Sequence, residues 1–370
     1  MSESVPTHRR SSRDLGDLRE RLSRWLRARL EEPEITELAS PAASGMSSET
    51  LVFDVRHRDA GAERTDAFVA RLAPDPRDVP VFPHYDLEAQ FRVMQLVAER
   101  SRVPVPRVRW LELDPSSLGS PFFVMERVAG RVPPDIMPYN LGSWLSEASA
   151  AEQRRLQEAT VAVLAQLHAI DLRGVDAGFL ELPVPGATPL ARHIENQRRY
   201  YAWMRDGRRH PVLERCFAWL DANRPRDEGP TVVSWGDSRI GNVLYQGFEP
   251  AAILDWEMAA LGPRGLDLGW LVFMHEFFEC VARMLGQPGM PGFLRREEVA
   301  AHYERVSGRP VTDLAFYELY AALRHGIVMA RIHARRVHFG EADWPEDVDS
   351  VIPHRETLEQ MLDGSYWKAR

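Results

Sequence analysis

The amino-acid sequence predicts an α+β chain in two lobes: a small antiparallel sheet with one helix, then a larger, mainly helical lobe. Three observations predict it. The first third holds about five short β-branched or alternating runs separated by turn-forming stretches, which reads as a strand meander. Beyond Ala129-Gly130, apolar residues recur at three-and-four spacing over long segments, which reads as amphipathic helices. Within that helical part sits one two-strand element rich in polar residues. The division expected is a tail and N-terminal helical extension over residues 1–32, a first lobe over 33–126 and a second over 127–370.

Residues 1–12 are polar and are expected to be disordered. From Asp14 to Leu30, the apolar residues Leu15, Leu18, Leu22, Trp25, Leu26 and Leu30 trace one face of a helix. Strands follow at Ile35–Leu38, Leu51–His57 and Ala67–Leu72, with turns expected over 40–48 and 59–65. A helix over Asp86–Arg100 shows its face at Leu87, Phe91, Met94 and Val97. Two more strands lie at Val108–Leu113 and Phe122–Met125. The helical part opens with Ala151–Ile170, where Leu156, Thr160, Val163, Leu164 and Leu167 share a face. Helices at Leu190–Met204 and Pro211–Ala222 precede the two-strand element. Four more follow near 266–285, 296–307, 312–338 and 355–363.

Composition excludes several classes of function. At 370 residues and 44% apolar content, the chain can bury a sizeable core. A net charge of −8 offers no broad basic surface to neutralise nucleic-acid phosphates. Cys216 and Cys280 are the only cysteines, so no disulfide framework or zinc spacing is available. No apolar run reaches the roughly 18 residues of a membrane span. The N-terminus has no apolar signal core, so a soluble cytoplasmic protein is expected. Of 46 basic residues, Lys368 is the only lysine. Any cation that meets phosphate here is therefore arginine or metal.

The chemistry concentrates in Trp235-Gly236-Asp237-Ser238-Arg239-Ile240-Gly241-Asn242 and Leu254-Asp255-Trp256-Glu257. Asp237, Asn242 and Asp255 stand five and then thirteen positions apart, and a strand joins each side of the intervening turn. A lone Asp in a loop is usually a turn or cap residue. This arrangement, however, is the layout in which a kinase holds a base beside two metal ligands. Phosphoryl transfer spreads negative charge, so its catalysis is mostly positioning and electrostatic stabilisation. Asp237 would accept the acceptor hydroxyl's proton. Asn242 and Asp255 would hold Mg²⁺, a hard cation that takes oxygen ligands. Arg239 can reach the transferred phosphate or make a structural ion pair. Glu257 can be a further metal ligand, an acceptor contact or an arginine's partner.

These segments resemble the catalytic loop and metal-binding strand of the aminoglycoside phosphotransferase family, near the kinase-like branch attached to some acyl-CoA dehydrogenases. Leu164–Asp171, Phe123–Gly130 and Gly262–Gly269 resemble that family's helix before the loop, its hinge, and its turn after the metal-binding Asp. The resemblance covers about residues 35–340 and implies a bilobal protein-kinase-like fold. It implies ATP as phosphoryl donor, Mg²⁺, and a small-molecule hydroxyl as acceptor. It implies Asp237 as base, Asn242 and Asp255 on the metal, and backbone groups of Glu126 and Val128 on adenine. Asp267 would cap its helix or steady the loop.

Two positions depart from the family. Trp235 stands where a His is usual, and can still pack and donate one N–H. The third strand supplies Arg71 where a phosphate-binding Lys is usual, with Glu88 on the next helix as its partner. The phosphate-covering loop is the segment Ser44-Gly45-Met46-Ser47-Ser48, whose Ser47 and Ser48 offer hydroxyl and backbone donors. Acceptor contacts are sought among Tyr200, Tyr201, Trp203, His275, Glu276 and Glu279. The alternatives are a catalytically silent nucleotide-binding protein and a kinase of a non-antibiotic metabolite, such as a sugar, amino alcohol or hydroxyacyl thioester. A protein kinase is disfavoured by the short segment between Asp255 and Gly262. Oligomeric state is left open.

Overall fold

Asp14 starts the first helix: its carboxylate accepts from the Asp17 amide at 2.9 Å, satisfying a donor that the helix itself leaves open. In the computed structural model, which describes residues 13–41 and 48–368, this helix, α1, spans Leu15–Leu26. The disorder expected for residues 1–12 lies outside the described residues. Five strands follow: β1 (Glu31–Ala39), β2 (Glu49–Asp59), β3 (Ala62–Leu72), β4 (Val108–Glu112) and β5 (Phe122–Glu126). They form one antiparallel sheet in the order β1-β2-β3-β5-β4, with helix α2 (Leu87–Arg100) inserted after β3. β1 begins at Glu31, inside the segment the sequence set apart as an extension.

The turn expected over residues 59–65 is much shorter. β2 and β3 stay paired down to Asp59 and Ala62, and only Ala60-Gly61 turn, with φ of 49° and 82°. Left-handed angles at both central residues suit a two-residue hairpin. The polar residues that looked like loop are solvent-facing strand ends, where Arg64 pairs with Asp59 at 2.8 Å.

β2 alternates along its length and points Leu51, Phe53 and Val55 to one side. That side meets Leu18, Leu22, Trp25 and Leu26 of α1, together with Phe68, Phe122 and Val124, in one apolar core. Trp25 also ties the helix by a bond, its Nε1–H donating to Glu112 at 2.9 Å. At the front of α1, Arg13 donates to Glu49 at 2.6 Å. Helix and sheet are thus one packed body, not a domain with an appendage.

The chain divides into two compact units. One runs to Gln95 and takes in Pro106–Arg127; the other comprises Leu96–Val105 and the chain from Val128 onward. In the second, α3 (Ala150–Leu167) opens with a capping box in which Ser149 and Glu152 satisfy each other's amides. α4 (Pro189–Met204) and α5 (Pro211–Ala222) follow. Two short ribbons then appear: β6 (Thr231–Ser234) pairs with β9 (Ala260–Pro263), and β7 (Val243–Gln246) with β8 (Glu249–Ile253). β6 and β9 were not expected, since four residues are too few to show a period. α6 (Gly265–Met284), α7 (Arg296–Ser307), α8 (Leu314–His338) and α9 (Arg355–Asp363) complete the unit. α6 crosses α8 closely because Gly269 has no side chain; a Cβ there would lie 2.5 Å from the Tyr317 carbonyl carbon. Among the described residues no helix is long and apolar enough to cross a membrane.

Candidate active site

The loop between β6 and β7 is held from beneath by one buried carboxylate. Asp267, fully buried in the first turn of α6, accepts from the amides of Trp235 (2.9 Å) and Gly236 (2.8 Å) and from Ser234 Oγ (3.0 Å). His168 Nε2–H donates to it at 2.9 Å, and His168 Nδ1 meets the Tyr303 hydroxyl at 2.9 Å. Burial alone would raise the Asp267 pKa; the His168 bond and charge, with the two amides, outweigh it and hold the carboxyl below its ordinary value. Of the two roles expected for Asp267, loop support is the one its contacts describe.

Gly236 takes φ of +88°, and a Cβ there would lie 2.6 Å from the Met258 carbonyl carbon. Only glycine meets both conditions without strain. Gly236→Ala is expected to displace the loop and lower turnover about 10²-fold. The check is steady-state kinetics beside a thermal melt, to separate displacement from unfolding.

Asp237 follows, 8% exposed. Its carboxylate accepts from Asn242 Nδ2 at 2.7 Å, Trp270 Nε1 at 2.7 Å, and Arg239 Nε at 3.1 Å to both oxygens. Because the Asn242 amide nitrogen donates to Asp237, its oxygen faces away as an acceptor. That matches what a hard cation requires. The neighbouring strand is tied to the same loop: Leu254 N–H donates to Asn242 O at 2.8 Å. Trp235, fully buried, donates its indole N–H to the carbonyls of Leu254 (2.9 Å) and Asp255 (3.1 Å). Trp235 therefore anchors the Asp255 backbone, which turns with φ of 58°. Glu257 stands two residues on, partly buried. Among the described residues no cluster of three or more His, Cys, Asp or Glu side chains could hold a metal ion. Mg²⁺ characteristically needs only one or two protein oxygens beside water and phosphate. Asn242 Oδ1 and the Asp255 carboxylate are a donor set of that kind.

Arg239 bridges two carboxylates. Its Nε meets Asp237, and its Nη1 meets Asp135 from the segment after Pro133-Pro134. Burial opposes its charge, but the two neighbouring carboxylates outweigh burial and raise its pKa. Sequence reasoning missed Asp135, which has no motif around it. Its one trace was Gly241, where a Cβ would lie 2.9 Å from the Asp135 carboxyl carbon. Trp270 was missed as well, although it follows Asp267 by three residues and so shares its helix face.

In the first unit, Arg71 lies on β3 and donates to Thr50 Oγ1 at 3.0 Å. Glu88 is exposed, and among the described residues no ion pair joins it to Arg71. The inward position on that helix is Gln90, 4% exposed, because Glu88 sits half a turn away on the solvent side. Ser48 is buried, its hydroxyl without a partner among the described residues. Ser47, like Ser44, Gly45 and Met46, lies outside the described residues. Glu126 ends β5, its amide donating to Arg107 O at 2.9 Å and its carboxylate meeting Arg109 at 3.2 Å. Val128 belongs to the second unit.

Of the acceptor candidates, Tyr200 and Tyr201 are buried, whereas Trp203 is exposed. His275, Glu276 and Glu279 line a pocket of about 290 Å³ with Phe293 and Arg283. Their contacts hold local structure. His275 meets the Tyr139 hydroxyl at 2.7 Å, Glu276 pairs with Arg283 at 2.7 Å, and Glu279 accepts from Asn140 at 2.8 Å and the Met290 amide at 2.7 Å.

Residues 39–298 match the model of the phosphotransferase enzyme family (APH). The acyl-CoA dehydrogenase family member 11 of Gallus gallus is 28% identical over 338 residues, covering 87% of this chain and 40% of that protein. The chain thus spans less than half the length of this relative. Among solved structures, a Ralstonia eutropha JMP134 protein assigned as an aminoglycoside phosphotransferase superposes with a TM-score of 0.66 at 23% identity, covering 94% of this chain and 98% of that one. A thermostable mutant of an aminoglycoside phosphotransferase, in ternary complex with AMP-PNP and hygromycin B, superposes at 0.53 with 14% identity, covering 93% and 98%. At these identities the structures establish the bilobal kinase-like fold alone.

Proposed function

The chain belongs to the phosphotransferase enzyme family, and from that premise we propose that it moves the γ-phosphoryl group of ATP to a hydroxyl of a small molecule. One observation carries the reading: the Asp237 carboxylate and the Asn242 amide are locked to each other at 2.7 Å, and the Asp255 backbone is tied to the same loop through Trp235. A base and two oxygen ligands are thus held on one rigid support.

In this reading, Asp237 orients the acceptor hydroxyl and takes its proton as the oxygen attacks phosphorus. Asn242 Oδ1 and the Asp255 carboxylate hold Mg²⁺, with Glu257 close behind. The ion, when bound, neutralises charge on the transferring phosphoryl group. Arg239, kept cationic between Asp237 and Asp135, is placed to answer the charge that develops beside the base. For the nucleotide, the residues proposed are Arg71, Ser47 and Ser48 for the phosphates and backbone groups of Glu126 and Val128 for adenine. Glu88 has no part. Cytoplasmic residence belongs to the same proposal, supported by the two free cysteines Cys216 and Cys280.

A structural neighbour was captured with hygromycin B, whereas the Gallus gallus relative is named for acyl-CoA dehydrogenation. We therefore propose a metabolite hydroxyl as acceptor beside the antibiotic one. The test is ADP release with Mg-ATP across aminoglycosides, macrolides, amino alcohols, sugars and hydroxyacyl thioesters. Acceptor-dependent release that disappears in Asp237→Asn and Asp255→Ala supports transfer. Equal rates in wild type and both variants for every acceptor point to the silent nucleotide-binding alternative.

A further inference from the structure

The groups that orient Asp237 do not all lie on its own loop. Trp270, on α6, aims its indole N–H at Asp237 Oδ1 from 2.7 Å. An indole nitrogen can only donate, so this contact fixes where that oxygen points. Behind the indole lies Arg324 of α8, 4% exposed. Its guanidinium carbon stands 4.4 Å from the Trp270 ring centroid, and its Nη2 donates to the Gly236 carbonyl at 3.2 Å. The Met258 sulfur lies 3.5 Å from the same nitrogen.

A buried cation is costly unless something answers its charge. Among the described residues no carboxylate pairs with Arg324, and its Nε–H is buried without a partner. Beside the Tyr320 ring, whose centroid lies 5.6 Å from the guanidinium carbon, what answers it is the face of an indole and the carbonyl that precedes Asp237. A cation held against an aromatic face gains more when both are shielded from water. Both contacts therefore converge on the base: one through the ring that donates to its carboxylate, the other through the peptide that carries it.

We infer that Trp270 and Arg324 form a positioning pair for Asp237, acting as one unit. The inference rests on the proposed role of Asp237 as base and goes beyond it, since neither residue belongs to the loop motif and Arg324 lies past residue 298, where the family match ends. Trp270 fixes the direction of the carboxylate. Arg324 fixes the plane of Trp270 and the height of Gly236.

The test is a double-mutant cycle in the full chain, with turnover, KM for Mg-ATP and melting temperature measured for each variant. Trp270→Phe keeps a ring for Arg324 but removes the N–H, and is expected to lower kcat about 10- to 100-fold with KM for Mg-ATP and melting temperature unchanged. Arg324→Met should match it, Arg324→Lys should recover most of the loss, and the double variant should fall no further than either single one. Wild-type kcat in Trp270→Phe, or losses that multiply in the double variant, would overturn the inference. If Arg324→Met does not fold, Trp270→Phe and Arg324→Lys still decide it. Activity persisting in Asp237→Asn would instead remove the base reading beneath it, so the two failures are distinguishable.

Discussion

Asp237→Asn is expected to lower acceptor phosphorylation about 10²–10⁴-fold, the usual contribution of a positioned general base. Nucleotide affinity and the fold should persist. Asn has the same shape, and Arg239 keeps one of its two carboxylates, Asp135. What the substitution removes is the ability to take a proton. It also puts an NH₂ where one carboxylate oxygen now accepts from Asn242, Trp270 or Arg239, so a donor must face a donor. Single-turnover transfer with excess enzyme reads the chemical step apart from product release. Transfer at the wild-type rate in that assay would sink the assignment of Asp237 as base, whatever the acceptor.

Asp267→Ala should destabilise the second unit by about 3–5 kcal/mol, the cost of removing one partner from a buried charged network. Four donors lose their acceptor together: the amides of Trp235 and Gly236, Ser234 Oγ and His168 Nε2. Asp267→Asn keeps the volume and isolates the charge. Because the folded pKa of Asp267 is lowered, its ionised form contributes stability above the ordinary carboxyl value, about 4 in an unfolded chain. That contribution is lost as pH falls through the lower, folded value. The stability gap between wild type and Asp267→Asn should therefore be full at neutral pH and narrow in acid. Urea unfolding at several pH values checks this; a gap that does not change with pH would show that the charge contributes nothing.

Much of the fold was legible because its elements repeat a period for long enough. The helices at 211–222, 296–307 and 355–363 end where the pattern ends. The hairpin between β2 and β3 misled because its tip is polar on both strands, so alternation fades before pairing does. The ribbon of β6 and β9 hid for a different reason: each strand is only four residues long, and the carboxylate that accepts bonds at the end of β6, Asp267, comes from a helix distant in sequence. In the site, Asp237, Asn242 and Asp255 stood out because chemistry demands their types at a close spacing. Asp135, Trp270 and Arg324 stand 104, 33 and 88 residues from the loop residue each one touches; only the fold brings them in. Glu88 faces solvent and Gln90, two positions on, faces inward, because two steps along a helix exchange one face for the other.

The helix that leads the chain gives the last consequence. The family-model match begins at residue 39, yet α1 and nearly all of β1 precede it. A fragment cut to the matched borders would strip four buried apolar residues from one side of the sheet and leave β2 as a bare edge, open to pairing with another copy. It would equally lack α8, and with it Arg324. The stretch that the family model marks out is thus smaller than the packed body. Anyone who grafts, fuses or shortens this protein by its family borders should expect aggregates, and should take the border of the folded body instead.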